Sequence, residues 1–398
     1  MRTDGRFEWA RDPKLLRVLA ALRTRGEARF VGGCVRDSLL GKSPLRDDDI
    51  DIDIATTLTP PDMLEVLPDA GIRAVPTGAE HGTITAVLEG LTAECTTLRA
   101  DIETDGRRAE VRFTKDWDED WRRRDFTINA LYADEDGKVW DPAGGLQDLE
   151  ERRVRFIGDP DLRIEEDALR ILRFYRFSAR FAERIDEAGL TACRRGANKL
   201  GILSKERIWS ELSRLFKADR AAVAIAAADS AGVLAEMMVG DAYTEIFAAA
   251  HGAGLRDGAS SLAALWPGRD QDTLRRAFKP PASVLKTYES IEQARSALAE
   301  GASVTVLLYR FGREPSVAAA LIIKASGSRS VTDEMIDTLR TRPVPVLPIG
   351  GKHLLARGVS PGPSLGQKLS AFEEAWLQAD APTDEERIER LLTDVLGG

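Results

Sequence analysis

Aspartates at positions 49, 51 and 53 alternate with isoleucines at 50, 52 and 54 in the stretch DDDIDIDIAT. In an extended chain successive side chains point to opposite faces, so the three carboxylates share one face and the three isoleucines the other. Carboxylates two residues apart, roughly 7 Å along a strand, repel one another unless a cation lies between them. Hard oxygen donors of this kind suit Mg²⁺, which can activate an attacking hydroxyl and neutralise a triphosphate. An edge strand with a solvated acidic face would give the same pattern. No Lys or Arg interrupts the alternation, which shifts the balance toward a metal.

Three further clusters could handle phosphate or a base. ARFVGGCVRDSLLG reads as a strand, a turn at Gly32 and Gly33, and a helix start whose free N–H groups can cradle phosphate beside Arg36. RRRDFTINALY, from Arg122 to Tyr132, sets three arginines against Asp125 before an abruptly apolar run; phosphate contact is the functional reading, but taken alone a solvated charge run before a buried segment is the better one. EEDALRILRFYRFSARF predicts one helix from Ile164 to Phe181, with Ala168, Leu172, Tyr175 and Ala179 on its buried side. Arg173, Arg176 and Arg180 recur at the same period as a basic ridge able to follow phosphates. Asp167 and Arg170, three apart, share a face of that helix, where an ordinary intrahelical ion pair is as good a reading as a functional one.

The elements that must position these residues fall into two kinds. From Phe30 to Asp141 short apolar runs alternate with Gly-rich turns and helical stretches, as in a mixed α/β domain. After Asp159-Pro160, a helix-start dipeptide, strand signals almost vanish and helical patterns take over, with a Pro-rich connector from Pro343 to Pro348 before the last helices. The 398 residues suffice for two to four domains, and 43% hydrophobic with 30% charged residues is a globular balance. A net charge of −9 means that any nucleic acid must be held by a local basic surface. Cys34, Cys95 and Cys193 lack the spacing of a zinc site or disulfide framework and read as buried thiols. The start MRTDGRFEWARD has no apolar core and no run reaches the length of a membrane span, so a cytoplasmic protein without membrane partners is expected.

GGCVRD, DIDIAT, RRRDFTINAL and EDALRILRFYRF, in this order and at these separations, resemble the signature motifs of the class II tRNA nucleotidyltransferases and bacterial poly(A) polymerases. SKERIWSEL, from Ser204 to Leu212, is similar to the family's fifth motif, and GVSPGPSLGQKL to the tails of bacterial CCA-adding members. The resemblance spans most of the chain and is strongest from Phe30 to Phe216. It implies an α+β fold: a polymerase-β-like nucleotidyltransferase head over residues 1–150, then an all-helical neck (151–218) with the nucleotide-recognition helix, a body (219–342) and a tRNA-binding tail (343–398).

By position in those motifs, the resemblance makes Asp51 and Asp53 the metal ligands, with Asp49 a second-choice neighbour, and Glu94, in ECTTLR, the third acidic catalytic residue. It assigns nucleotide contacts to Gly33, Arg36, Arg124, Asp125, Arg173 and Arg176, and recognition of the incoming base to Asp167 with Arg170. The implied activity is template-independent addition of CMP and AMP to the tRNA 3′ end from CTP and ATP, with Mg²⁺, two ions, as cofactor and no evident protein partner. Base selection has a physical logic: cytosine and adenine both place an amino donor beside a ring-nitrogen acceptor, which an Asp acceptor and an Arg donor complement, whereas uracil and guanine reverse the pattern. A poly(A) polymerase or A-only enzyme shares the head motifs. PTGAEHGTITAV lacks the basic-aromatic segment of the polymerases, and the loop from Arg99 to Phe113 is not shortened as in CC-only relatives, which favours full CCA addition. An inactive RNA-binding protein would not need the acidic face.

Overall fold

The computed structural model describes residues 5–47, 50–101, 111–237 and 239–397. The chain forms two compact units, Met1–Glu211 with Ala227–Glu236, and Leu212–Ala226 with Met237–Gly398.

The first unit is built on a mixed sheet. Its strands are β1 (Ala28–Val31), β2 (Asp53–Thr56), β3 (Arg73–Gly78), β4 (Thr83–Leu88), β5 (Leu91–Thr97), β8 (Tyr132–Ala133) and β9 (Val139–Trp140), in the order β3-β4-β5-β2-β1-β8-β9. A separate hairpin pairs β6 (Arg99–Asp101) with β7 (Val111–Phe113). In the large sheet β2 and β5 run parallel, and every other neighbouring pair is antiparallel.

One face of this sheet is the core. Helices Pro13–Arg23 and Pro60–Asp69 join it, each opened by a side-chain cap (Asp12; Thr59 in a capping box with Asp62) and a proline in the first turn. Leu15, Leu22, Phe30, Met63, Ile84 and Cys95 belong to the resulting cluster, as do all three isoleucines of DIDIDI. Strand alternation then decides what the other face carries. In β5, Leu91, Ala93, Cys95 and Thr97 are buried while Thr92 and Glu94 are exposed. A slip of one residue would bury Glu94 and expose Cys95, so the hydrophobic pattern fixes the register that presents Glu94 on the open face.

Part of that open face is roofed by aromatics. Val31, Ala55, Leu98 and Tyr132 pack with Trp117, Trp121 and Trp140, and the Arg29 guanidinium lies 4.1 Å from the Trp117 ring centre and 4.5 Å from that of Trp140. The remainder stays open as a cleft.

After β9 every regular element among the described residues is helical. Asp159 caps Pro160–Glu166, its carboxylate accepting the Asp161 N–H at 2.8 Å. The single helix expected from Ile164 to Phe181 is instead two, Pro160–Glu166 and Leu169–Phe181, broken at Asp167, whose backbone is extended (φ −152, ψ 104). The second helix buries Ile171, Leu172, Phe174, Tyr175 and Ala179, a wider stripe than the four expected positions. Phe174 and Phe177 join Phe126 and Phe156 in a ring cluster.

The second unit is helical, with Ala282–Ala299 and Arg313–Ala325 among its longer members. Its C-terminal core gathers Leu354, Phe372, Trp376 and Leu392, with Val306 and Tyr309 packed against them. No helix among the described residues is long and apolar enough to cross a membrane.

Candidate active site

The open face of the sheet forms the floor of a cleft of about 490 Å³ in the first unit. Asp53 and Glu94 are direct neighbours across the parallel β2–β5 ladder, and both line the cleft beside Thr83 and Thr96. Strands so paired lie about 4.8 Å apart, so the two carboxylates share one small region. Burial, then the charge of Glu94, pushes the Asp53 carboxyl up to about 7, against the opposing influence of Arg124 and Arg36. Asp51, two residues upstream, is exposed and adds to the repulsion. It precedes the strand and is not among the residues lining the cleft. Asp49 lies outside the described residues, as does most of the Arg99 to Phe113 loop.

The opposite wall is cationic. Arg99, Arg123, Arg124, Arg170, Arg173 and Arg207 reach the cleft, together with Asp125 and Asp167. A bare cluster of arginines would repel itself; here Arg123, Arg124 and Arg173 are each held by a buried carboxylate. Asp120, 1% exposed, binds Arg123 and Arg124, each at 2.9 Å, and accepts from the Tyr132 hydroxyl at 2.8 Å. Burial works to raise the Asp120 carboxyl, but Arg124 and Arg123 outweigh it and hold it far below the usual carboxylate range. Asp125, also buried, takes Arg173 at 2.6 Å and the Asn129 amide at 3.0 Å. Its carboxyl is likewise held low, burial being outweighed chiefly by Arg173.

Several sequence expectations change at this point. Arg36 is not among the residues lining the cleft: it is 5% exposed, donates to Asp37 and to the side-chain amide oxygen of Asn129, and lies 4.2 Å from the Phe181 ring centre. Gly33 opens a short helix, Gly33–Leu39, after Gly32 in the left-handed region (φ +71), and it too stays off the lining. The basic ridge is no free track for phosphates: Arg173 pairs with Asp125 and Glu211, Arg176 with Glu211, and Arg180 with Asp37. Of the three, only Arg173 lines the cleft. Among the described residues Asp167 and Arg170 are not paired with each other: Asp167 binds Arg207 at 2.7 Å, and Arg170 binds Glu166 and the backbone carbonyls of Arg163 and Arg123. The alternative of an intrahelical ion pair is not realised among the described residues, because the helix breaks at Asp167.

Asp120, Arg123, Arg99 and Arg207 went unassigned in the sequence. Arg123 and Asp120 sit in the run WDEDWRRRD, where a carboxylate three and four residues before two arginines is a readable signal for a bracing helix turn. The three cysteines are buried thiols as expected. Burial first, then the nearby Asp53 charge, pushes Cys34 up to about 12, which makes it unreactive.

A metal fits the acidic end. Its donors are all hard oxygens, Asp53 lacks an ion pair within the described residues, and Mg²⁺ is commonly held by one or two carboxylates with phosphates and water filling the other positions. Among the described residues no three His, Cys, Asp or Glu converge as a complete cage.

Residues 28–155 match the family model of the poly A polymerase head domain, and residues 184–238 that of the probable RNA and SrmB-binding site of polymerase A. The CCA-adding enzyme of Bacillus licheniformis is 31% identical over 95% of this chain and 97% of its own. The chain belongs to the CCA tRNA nucleotidyltransferase family. Another member, the mitochondrial CCA tRNA nucleotidyltransferase 1 of Danio rerio, is 34% identical over 88% of this chain and 83% of its own. Among solved structures of the family, the Bacillus stearothermophilus CCA-adding enzyme in complex with CTP superposes with a TM-score of 0.73 at 27% identity, covering 96% of this chain and 98% of that one. The family's α+β architecture, a polymerase-β-like head with a helical remainder, is the fold observed here, and the protein is a nucleotidyltransferase.

Proposed function

We propose that this protein adds CMP and AMP to the 3′ end of tRNA from CTP and ATP, without a template, in the cytoplasm. The observation that carries the reading is the content of one cleft: an acidic floor at Asp53 and Glu94, a braced arginine wall, and Asp167 with Arg170. In the reaction the terminal 3′ oxygen of the tRNA forms a bond to the α-phosphorus as the bond to the β-phosphate oxygen breaks, releasing pyrophosphate and the hydroxyl proton. Asp51 and Asp53, with Glu94 beside them, would hold Mg²⁺, two ions in our reading, which supplies charge neutralisation and activation of the hydroxyl when bound. Arg123, Arg124 and Arg173 meet the triphosphate; because Asp120, Asp125 and Glu211 fix them beforehand, little reorganisation accompanies binding. Arg36 and Arg176, with the Gly32–Gly33 turn, shape this wall from behind. We assign catalysis to the head (1–150), base recognition to the neck (151–218), and tRNA binding to the body (219–342) and tail (343–398).

Asp167 accepts from the exocyclic amino group that cytosine and adenine share, and Arg170 donates to the adjacent ring nitrogen. Three of the five N–H groups of Arg170 are already used by Glu166 and the Arg163 and Arg123 carbonyls, leaving two for a ligand. Removing either partner leaves a desolvated base edge unpaired, at a cost of about 1–3 kcal/mol. Asp167→Ala and Arg170→Ala are therefore expected to cut CTP and ATP incorporation strongly and UTP and GTP incorporation far less, shrinking discrimination by about tenfold or more. Four-nucleotide competition on one tRNA measures this, and parental selectivity in both variants would return the two residues to a structural role.

A further inference from the structure

Asp167 and Arg170 lie three residues apart, yet each is locked by a partner of its own. Arg170 is fixed by Glu166 and two backbone carbonyls. Asp167 stands in the break between two helices, so no helical turn sets the direction of its side chain. Two contacts set it instead: Oδ1 accepts the Leu169 N–H at 3.0 Å, and Oδ2 accepts from Arg207 Nη2 at 2.7 Å. Arg207 comes from the helix Lys205–Phe216, 40 residues onward, and lines the same cleft.

This pair is 48% and 33% exposed on its two sides. An ion pair so open to water contributes little to folding, and it fills no void. What it does constrain is direction. A carboxylate has about four lone-pair sites; Leu169 and Arg207 occupy one on each oxygen, which fixes the plane in which the remaining sites lie. A recognition group works only when held within about 0.5 Å and 10–20° of its productive geometry. Among the described residues the other cations nearest Asp167 have partners of their own. Arg173 feels the Asp167 charge but is bonded to Asp125 and faces Glu211, and Arg170 is saturated on the Glu166 side.

We infer that Arg207 is the positioning residue for base selection: it turns the Asp167 carboxylate so that its free lone pairs meet the amino group of cytosine or adenine. The inference rests on the reading that Asp167 and Arg170 select the base. Arg207 itself touches no base in this scheme; it acts through Asp167. Without it, Asp167 remains present and capped by Leu169 but swings about that single contact, and a base with a carbonyl in place of the amino group is no longer refused as strictly.

The test compares the full-length parent with Arg207→Gln, Arg207→Lys, Asp167→Ala and the double variant Asp167→Ala/Arg207→Gln, measuring incorporation of all four nucleotides on tRNA together with KM, kcat and thermal midpoint. Arg207→Gln is expected to lose about tenfold in discrimination of CTP and ATP over UTP and GTP, with KM for CTP and ATP rising more than kcat falls and the midpoint nearly unchanged. Arg207→Lys, which keeps the charge and a donor, should recover part of the selectivity. The double variant should be no less selective than Asp167→Ala alone, because the two residues act in series. Parental selectivity in Arg207→Gln, alongside lost selectivity in Asp167→Ala, overturns this inference and leaves the base-selection reading standing. Parental selectivity in Asp167→Ala overturns that reading, and this inference with it. An equal fall for all four nucleotides in Arg207→Gln, with or without a lowered midpoint, overturns the positioning role in favour of a structural one.

Discussion

Asp53→Ala is expected to reduce incorporation of both CMP and AMP by about 10³-fold or more, the equivalent of roughly 4 kcal/mol of lost transition-state stabilisation. On the proposed reading both additions use the one acidic floor, so neither nucleotide should be spared. The fold should not suffer. Asp53 is a half-buried carboxylate set against Glu94 and Asp51, with burial and their charges opposing its ionised form. Its removal relieves repulsion, and the thermal midpoint in the absence of divalent cation should hold or rise. That combination, activity lost and stability kept, separates a functional carboxylate from a structural one. Single-turnover kinetics with each nucleotide, paired with a melting curve, reads both; turnover within tenfold of the parent would remove Asp53 from the chemistry.

Asp120→Ala is expected to do the reverse of Asp53→Ala on stability. It strips the shared counter-ion from Arg123 and Arg124, whose side chains are only 17% and 20% exposed, and the partner from the Tyr132 hydroxyl. Breaking a buried charge pair from one side typically costs about 3–5 kcal/mol; the partial exposure of the arginines places this case near the lower end. The catalytic unit's unfolding midpoint should drop by roughly 5–10 °C, while Asp120→Asn, which keeps an acceptor but not the charge, should lose less.

The same carboxylate sets an acid limit. Despite burial, Arg124 and Arg123 hold Asp120 below its ordinary value, and Arg173 does the same for Asp125. A carboxyl with a depressed folded-state pKa stabilises fully above its unfolded value of about 3.9, and that stability is lost as pH falls through the folded-state value. Stability of the parent should therefore decline below about pH 4, and the decline should be shallower in Asp120→Asn. A midpoint for Asp120→Ala within about 2 °C of the parent at neutral pH would show that the arginine wall does not depend on it.

How much of this could be read in advance follows from the range of each interaction. The acidic floor was legible in part because period-two alternation is local: DIDIDI announces an extended run with one wet face and the three isoleucines are buried, although the strand itself begins only at Asp53. The pairing of Asp53 with Glu94 was not local, and only the resemblance to known motifs suggested Glu94. The break at Asp167 was hidden because EEDALRILRFYRF keeps helical spacing without Gly or Pro. What favours the break is tertiary: Arg207 draws the Asp167 side chain outward, and its other oxygen caps the next helix at Leu169. The ridge of Arg173, Arg176 and Arg180 looked like a phosphate track for the same reason. Its neutralising partners lie 48, 35 and 143 residues away, beyond any spacing argument. Arg36 is the instructive case, since the adjacent Asp37 was visible in GGCVRD and is the residue that claims its guanidinium.

The central claim is that one cleft adds both nucleotides, in order, and refuses the others. The most direct test incubates the purified protein with Mg²⁺ and a tRNA ending just before its CCA, supplying CTP, ATP, both together, or UTP and GTP, and sizes the products. Extension by CC with CTP alone, by CCA and no further with both, and no comparable extension with UTP or GTP is the expected result. An open-ended ladder with ATP alone, or addition of A only to tRNA already ending in CC, would contradict it.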